Sequence, residues 1–441
     1  MPKKKKAPRR FANPDFRPRH NFPAPPVEEI ERRLRSVLAP HTFAAARLRM
    51  SQLRLRERVL TLPVMTALVL SLVWRQLPSV SELLRVMERE GLCELPPLSV
   101  TKQAVSQRLQ SLPAALFAQL FNEAVERLGE QPAVQVPVPE ELRGVAAKFP
   151  ACYVTDGSTL EAVRKKLDEL KADTGTPLGG KMLCVLDLFT RRPHRAWYSE
   201  SAQTADQRFG ERILAAMVEG SLVTFDLGFF GFGFFDKFTD QGKFFVTRLR
   251  AKTAYRVVET LSERRHYRDQ VIEMGQYRSN PCRHRVRLVS VLWGTVWYRY
   301  LTNVLDEKQL SARQVCAVYR QRWRVEEAFL VTKRLLGLSY LWVSSRNGVE
   351  IQVYATWLFY AVLTSLCAEV SAALNQPVER ISQEMVFRSL YHYSRAIEMG
   401  EEPQLLSFLV KHTKLLGLVK AERKRHRERE QENQVTWGSL S

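Results

Sequence analysis

Apolar and polar residues recur with two different periods along the chain, and the change of period separates a helical part from a part that contains strands. From about Val27 to Leu128 the spacing is helical, which predicts an all-helical N-terminal region. Short apolar runs and helical spacing then predict a helix near residues 205–219 and strands near 152–156, 182–189, 196–200, 222–227 and 243–249. This order of elements indicates an α/β core, with helices on the faces of a mixed sheet.

Helical spacing returns at residues 317–336, where four polar residues gather on one side. At about 100° per residue, Tyr319, Arg322, Glu326 and Lys333 fall within a stripe roughly 60° wide. One acid therefore stands among basic residues. The plainer interpretation is a set of charge pairs on an exposed helix.

The other side of this segment is apolar and predicts a helix docked on the core. Glu327 points about 80° away from the polar stripe, so we expect it to be solvated or to support the site from behind. Only Gln321 and Thr332 interrupt the apolar side, which consists of Ala317, Val318, Val325, Ala328, Leu335 and Leu336, with Phe329 at its margin.

Two of the predicted strands end in an aspartate close to a glycine. Asp156 directly precedes Gly157, and Asp226 lies two residues before Gly228. A glycine turn at a strand end lets a ligand approach closely, although Asp-Gly is also a common turn signal. Asp187 is a rival acid at a strand end, but no glycine follows it.

Asp156, Asp226 and Glu326 together form a candidate metal site. Three carboxylates in one pocket would raise each other's pKa values unless a cation lay between them. Oxygen ligands without a matching His or Cys favour Mg²⁺ or Mn²⁺ over zinc. Two such ions can activate a water or a sugar hydroxyl and stabilise the leaving oxygen during attack on a phosphodiester.

The order Asp156, Asp226, Glu326, with Tyr-x2-Arg-x3-Glu-x6-Lys spacing around the third acid, resembles the bacterial insertion-sequence transposases of the DDE class that carry the YREK signature. The resemblance runs from about Tyr153 to about Leu366. It implies a ribonuclease-H-like mixed sheet with a β-rich insertion, preceded by the all-helical N-terminal domain.

The same resemblance implies roles for the site residues. The three acids would be catalytic and would bind two Mg²⁺ ions, for which Mn²⁺ can substitute. Tyr319, Arg322 and Lys333 would hold the DNA phosphates at the transposon end. Trp323 lies beside them and could stack on a flipped base, or could instead pack against the sheet edge.

The activity implied is cut-and-paste transposition, in which the enzyme binds the ends of its insertion sequence, cleaves DNA and transfers the strands. Its partners would be double-stranded DNA, as terminal inverted repeats and target, and a second copy of the chain, because two ends must be brought together. The alternatives are a catalytically inactive or domesticated DNA-binding protein, and a nuclease of the same fold without strand transfer.

Composition agrees with a nucleic-acid partner. The net charge is +21 and the pI is about 9.9, which favours nucleic acid first and an anionic membrane surface second. Six cysteines without a C-x-x-C pair suggest neither a zinc ribbon nor a disulfide framework.

We expect a protein without a membrane segment, in the cytoplasm and associated with the bacterial nucleoid. The basic start, Met1 to Arg10, does not lead into the apolar stretch of a signal peptide. The apolar segments Val59–Val73 and Val353–Ala368 are too short to span a bilayer and predict buried helices.

Other segments could also contact DNA. Residues 98–109 have the spacing of a recognition helix that Thr101 or Ser99 would cap, with Gln103, Gln107 and Arg108 outward, although a plain amphipathic helix fits as well. In the β-rich insertion, arginines would face DNA or form a solvated basic face; they are Arg264, Arg265, Arg268, Arg278, Arg283 and Arg285. The seven phenylalanines between Phe225 and Phe238 are expected to be mostly core.

These patterns divide the chain into seven parts, with prolines marking the clearest boundary at the linker. They are a flexible basic arm (1–28), a helical DNA-binding domain (29–130), a linker (131–148), the first part of the core (149–250), the β-rich insertion (251–310), the second part of the core with the Glu326 helix (311–400) and a basic tail (401–441).

Overall fold

The computed structural model describes residues 27–38, 40–52, 58–93, 95–131, 134–160, 179–343, 345–401 and 404–421. Most of the predicted basic arm and basic tail therefore lies outside the described residues. In the described ranges the α-helices are α1 (Glu28–Val37), α2 (Pro40–Gln52), α3 (Leu62–Trp74), α4 (Val80–Glu90), α5 (Lys102–Ser111), α6 (Ala114–Glu130), α7 (Glu140–Lys148), α8 (Gly210–Ala216), α9 (Phe232–Asp240), α10 (Ala312–Arg320), α11 (Trp323–Leu330), α12 (Arg346–Ala373), α13 (Gln383–Glu398), α14 (Leu405–Lys411) and α15 (Thr413–Leu416).

One mixed sheet contains all of the named strands. They are β1 (Cys152–Thr159), β2 (Lys181–Asp187), β3 (Pro193–Ser199), β4 (Leu222–Thr224), β5 (Phe244–Arg248), β6 (Tyr255–Arg264), β7 (Tyr267–Met274), β8 (Val286–Trp293) and β9 (Val296–Thr302). Their order across the sheet is β3-β2-β1-β4-β5-β9-β8-β7-β6. Strands β1, β4 and β5 are parallel to one another, and every other neighbouring pair is antiparallel.

The five strands predicted between residues 152 and 249 are all present, and the predicted helix near 205–219 is α8 with a short 3₁₀ turn, Asp206–Phe209, in front of it. The predicted β-rich insertion is also present, but it does not form a separate sheet. Its last strand, β9, pairs with β5 through the register Val246↔Thr302, so the insertion extends the core sheet.

Two hydrophobic clusters cover the sheet. On one side lies a phenylalanine cluster from α9 and the segment between β4 and α9, in which Phe225, Phe229, Phe235 and Phe238 are almost fully buried, as the sequence predicts. The other cluster joins the sheet to the N-terminal helices and to α12. The helical region 29–130 therefore shares its core with the rest of the chain.

Helix α12 is the centre of that larger cluster, and it packs on α3, α5, α6 and β3. Both apolar segments of the sequence are buried helices, as predicted: Val59–Val73 corresponds to α3, and Val353–Ala368 lies within α12. By length and composition α12 could cross a membrane, but 94% of its most apolar window is buried inside the protein.

Two sequence expectations differ from the structure in the N-terminal half. The second half of the predicted linker is helix α7, whose Leu142 and Val145 are buried. Helix α5 has the predicted cap, because the Thr101 hydroxyl accepts a hydrogen bond from Ala104 N. Arg108, however, does not point freely outward: its Nε donates to the Leu60 carbonyl at 3.2 Å.

Candidate active site

The parallel pair β1 and β4 places Asp156 and Asp226 side by side. The last paired residues are Val154 and Thr224, and each aspartate follows two residues later. Asp156 Oδ1 accepts a hydrogen bond from Gly157 N at 2.8 Å, and Asp226 Oδ1 accepts one from Gly228 N at 2.7 Å. Each carboxylate is thus oriented by the backbone N–H of a nearby glycine. The predicted strand end at Asp156 is wrong, because β1 continues through Asp156 and Gly157 to Thr159, whereas Asp226 lies two residues beyond β4.

The segment that carries Glu326 is not the single regular helix that its spacing predicts. Helix α10 ends at Arg320, and tight i to i−3 bonds, such as Arg322 N to Tyr319 O, connect it to α11. Beyond α11 the chain forms a π-helical turn, Val331–Leu335, closed by Leu336 N donating to Val331 O at 2.9 Å. Turns of this kind often occur at functional sites.

The predicted apolar side of this segment is nevertheless buried. Gln321 and Thr332, which interrupt it, are buried as well. The Thr332 hydroxyl is satisfied by donation to the Ala328 carbonyl at 2.9 Å.

Arg322 connects two of the three acids. Its Nη1 lies 2.8 Å from Asp156 Oδ2 and its Nη2 lies 2.9 Å from Glu326 Oε1. The guanidinium is therefore the cation between these carboxylates. Trp323 is 61% exposed and lies beside this guanidinium, 5.1 Å from ring centroid to Cζ, which does not fit the alternative that it packs against the sheet edge.

The pKa of Asp156 depends on its burial and on the charges beside it. Burial and the neighbouring charge of Asp226 raise the pKa of Asp156 to about 7, and Arg322 only partly offsets them. The neutral form of this carboxyl is therefore favoured more than in an exposed aspartate. A divalent cation at this position would favour the charged form of the Asp156 carboxyl.

Tyr319 and Lys333 also reach the site. Burial raises the pKa of the Tyr319 hydroxyl, and Arg322, Arg248 and Asp226 are among the charges that act on it. Lys333 Nζ donates to Ser158 Oγ at 2.7 Å, so it lies beside the end of β1. The structure thus brings all six predicted site residues together near the C-terminal ends of the neighbouring strands β1 and β4.

The three acids do not meet directly around one point. Among the residues that the structure describes, no three Asp, Glu, His or Cys side chains are arranged so that they could hold a metal ion as they stand. Asp156 and Asp226 are coupled by charge, whereas Glu326 joins them through Arg322. The expected direct convergence of three carboxylates is therefore replaced by a salt-bridged arrangement.

Asp187, the rival acid, has a structural role instead. Its Oδ1 accepts hydrogen bonds from Phe189 N, Thr190 N and the Thr190 hydroxyl, at 3.1, 2.7 and 2.7 Å. It closes the turn between β2 and β3.

Glu327 is partly exposed, and it pairs with basic residues other than Arg322. Its Oε2 lies 3.0 Å from Nη1 of Arg191, a side chain that is only 3% exposed. Although burial pushes the other way, Arg191, Lys420 and Arg324 lower the pKa of Glu327. These ion pairs join α11 to the β2–β3 turn and to the C-terminal segment.

Two further charged residues at the site have no signal in the sequence. Asp206, at the start of the 3₁₀ turn before α8, lies against both Gly157 and Gly228. Lys181, the first residue of β2, contacts it, with Nζ 2.6 Å from Asp206 Oδ1. Neither residue lies in a sequence motif. Their contact forms only when the 3₁₀ turn packs on the strands, so the sequence alone does not reveal it.

Comparison with known proteins agrees with this geometry. Residues 148–362 match the family described as transposase DDE domain. A Sinorhizobium fredii protein named as a transposase is 23% identical over 317 residues, which cover 70% of this chain and 82% of that protein. A Geobacillus stearothermophilus protein named as the transposase of an insertion sequence element is 23% identical over 291 residues, 63% of this chain and 70% of that protein.

A solved piggyBac transposase synaptic complex with hairpin DNA also aligns with this chain. The match covers 90% of this chain and 87% of that one, at 10% identity and a TM-score of 0.39. Together, the family match, which covers just under half of the chain, and the two transposase relatives show that this chain is a DNA transposase, an enzyme of DNA cleavage and strand transfer.

Proposed function

We propose that this transposase works by cut-and-paste transposition, with Asp156, Asp226 and Glu326 as the ligands of two Mg²⁺ ions in a ribonuclease-H-like core. Mn²⁺ can take the place of Mg²⁺. Residues Tyr319, Arg322 and Lys333 then hold the phosphates at the ends of its insertion sequence. This assigns the Tyr-x2-Arg-x3-Glu-x6-Lys spacing to the YREK signature.

The order of the strands carries the proposal. From β1 the sheet continues through β2 and β3 on one side and through β4 and β5 on the other. In open sheets with parallel strands, ligands bind outside the carboxyl ends at the point where the strand order reverses. Asp156 and Asp226 flank that point, and the order β3-β2-β1-β4-β5 with parallel β1, β4 and β5 suits a ribonuclease-H-like core.

The donor atoms fit hard divalent ions. All three side chains offer carboxylate oxygens, which Mg²⁺ and Mn²⁺ prefer. Burial, and after it the charge of Asp226, raises the pKa of Asp156, and the Arg322 guanidinium already stands as a cation between Asp156 and Glu326. A divalent ion held there would polarise the attacking hydroxyl and stabilise the leaving oxygen of the phosphodiester.

The remaining residues position DNA. Arg322, which now pairs with Asp156 and Glu326, would be available to a phosphate if divalent ions neutralised these carboxylates. Lys333 can exchange the Ser158 hydroxyl for a phosphate oxygen, which forms a stronger, charge-assisted hydrogen bond. The exposed Trp323 ring beside them offers a face on which a base can stack.

The wider surface suits a large DNA partner. The net charge of +21 favours a polyanion, and all six arginines that the sequence singles out in the insertion are exposed. We therefore assign terminal inverted repeats and target DNA as partners, bound by a homodimer that holds two ends together. Such a protein acts at the bacterial nucleoid, in the cytoplasm.

The test is DNA cleavage by three single variants, Asp156→Ala, Asp226→Ala and Glu326→Ala. Each is expected to lose cleavage of the element's ends by at least about a thousandfold while still binding them, because the ligands for the ions are lost but the basic surface is kept. Thr190→Ala, which alters the turn around the rival Asp187, is the matched control and should keep cleavage. Cleavage retained by any of the three would remove that residue from the site.

The same assay separates the alternatives when it supplies 3′-hydroxyl ends, target DNA and Mg²⁺. A transposase gives joined product, and a nuclease of the same fold gives only cut ends. A DNA-binding relic binds the ends but yields neither product.

A further inference from the structure

The Asp206 carboxylate lies between Gly157 and Gly228, the two glycines whose N–H groups orient Asp156 and Asp226. We propose that Asp206, held by Lys181, is a positioning residue that sets the spacing of these two aspartates and strengthens their affinity for a divalent cation. The inference rests on the proposed function, because it assigns a cation to Asp156 and Asp226.

Asp206 packs closely against Gly157 and Gly228. A Cβ added at Gly157 would lie 2.3 Å from Asp206 Oδ1, and one added at Gly228 would lie 2.7 Å from Asp206 Oδ2. These glycines are the same residues whose N–H groups donate to Asp156 and Asp226. One carboxylate therefore acts as a spacer between the backbones that aim the two ligands.

Lys181 holds the Asp206 carboxylate in place. Its Nζ lies 2.6 Å from Asp206 Oδ1 and also donates to the Thr204 carbonyl at 3.1 Å. Lys181 is paired with Thr159 of β1 and with Ser199 of β3, so its backbone is fixed within the sheet. The side chains of Lys181 and Asp206 are only 13% and 17% exposed, so solvent screens their charges weakly.

The charge of Asp206 reaches the neighbouring ligand. The Asp206 carboxylate lies against Gly157 and Gly228, which are next to Asp156 and two residues from Asp226, so it stands close to both ligands. A divalent cation at Asp156 and Asp226 would be attracted by Asp206 and repelled by Lys181. The two members of this pair therefore act on cation affinity with opposite signs, whereas a merely structural contact would give the same sign for both.

The experiment measures Mn²⁺ affinity of the full chain by calorimetric titration, for the wild type and for Asp206→Asn, Lys181→Met and the double variant. Asn keeps the size of the spacer and removes its charge. We expect affinity to fall about tenfold in Asp206→Asn, to rise several-fold in Lys181→Met, and to return near the wild-type value in the double variant, as expected for Coulomb terms in a weakly screened site. Glu211→Gln, which removes an acid paired with Lys237 on α9, is the matched control and should leave affinity unchanged.

Spacing is tested separately by cleavage at saturating Mn²⁺. Asp206→Asn should then cleave at close to the wild-type rate, since its shape is preserved, whereas Asp206→Ala should stay slow at any Mn²⁺ concentration. Melting temperatures of all variants exclude loss of folding as the cause.

The inference is overturned if Asp206→Asn and Lys181→Met change Mn²⁺ affinity in the same direction, if neither changes it, or if Asp206→Ala cleaves normally. Failure of the proposed function looks different. In that case the wild type itself binds no Mn²⁺, or Asp156→Ala and Asp226→Ala bind it as well as the wild type does.

Discussion

Two buried arginine–aspartate pairs lie in the sheet region of this protein, and they differ in how completely their hydrogen bonds are satisfied. Arg287 and Asp269 are both fully buried, and they form two parallel bonds of 2.7 and 2.5 Å. The Tyr267 hydroxyl donates to the same aspartate at 2.8 Å, and Arg287 Nη1 donates to the Leu310 carbonyl at 2.6 Å. This pair is closed on every side and ties β7 and β8 to the turn before α10.

The pair of Arg322 and Asp156 is open by comparison. Arg322 gives one bond to Asp156 and one to Glu326, and its buried Nε has no hydrogen-bond partner among the residues that the structure describes. Burial and the charge of Asp226 raise the pKa of Asp156 in spite of the contact with Arg322. The same two functional groups thus serve as a structural clamp in one place and as an exchangeable contact in the other.

The largest effect is expected at the closed pair. Asp269→Ala leaves Arg287 buried without its carboxylate, which should lower the free energy of unfolding by about 3–5 kcal/mol. Urea denaturation followed by circular dichroism measures this change. A double replacement, Asp269→Leu with Arg287→Met, removes both charges and should lose much less, so an equal loss in both variants would contradict the assignment.

Removing the carboxylate from the open pair of Arg322 and Asp156 should raise the free energy of unfolding, not lower it. Burial and Asp226 raise the folded-state pKa of Asp156 to about 7, whereas an unfolded aspartate has a pKa of about 3.9. The folded protein binds this proton more tightly, so this carboxyl costs stability progressively as the pH rises from about 4 to about 7. Asp156→Asn removes that cost and should raise the free energy of unfolding by about 1–2 kcal/mol at pH 8 without divalent cations, and change it little at pH 4.

Urea denaturation in EDTA at these two pH values measures the difference. A loss of stability at pH 8 would mean that the contact with Arg322 is a structural clamp like that of Arg287. The distinction between the two pairs would then disappear.

The sequence predicts much of this arrangement because local patterns carry it. Short apolar runs locate the core strands, and the aspartates that follow two of these runs identify the site, although β1 continues beyond Asp156 to Thr159. The break between α10 and α11 leaves no trace in periodicity, since the tight turn at Arg322 continues in nearly helical conformation. The π-helical turn is equally invisible, because its extra residue per turn depends on how α11 packs.

Contacts between distant segments are the part that the sequence does not reveal. Glu327 is paired with Arg191 and Lys420, which are far from it along the chain. Asp206 and Lys181 meet only because the 3₁₀ turn before α8 lies on the strand ends. Spacing along one helix cannot identify such partners, so an acid beside a signature can be structural, and an acid without a signature can belong to the site.

The smallest effect tests whether the basic residues of the open site are available to DNA. Lys333→Met removes a cation whose hydroxyl partner, Ser158, a phosphate can replace. It should weaken binding to the element's ends by about 1 kcal/mol and reduce the slope of log affinity against log salt by about one unit, as expected for one lost phosphate contact. Lys333 is a cleaner test than Arg322, because removing Arg322 also frees Asp156 and Glu326.

Fluorescence anisotropy with labelled end DNA at several salt concentrations measures both quantities. Arg33→Met is the matched control, because Arg33 is already committed to Glu369 through bonds of 2.5 and 2.7 Å between α1 and α12. The control should keep the wild-type slope even where it costs stability. A slope unchanged in Lys333→Met would place this lysine away from DNA and would leave Arg322 as the basic residue of the open site to be tested next.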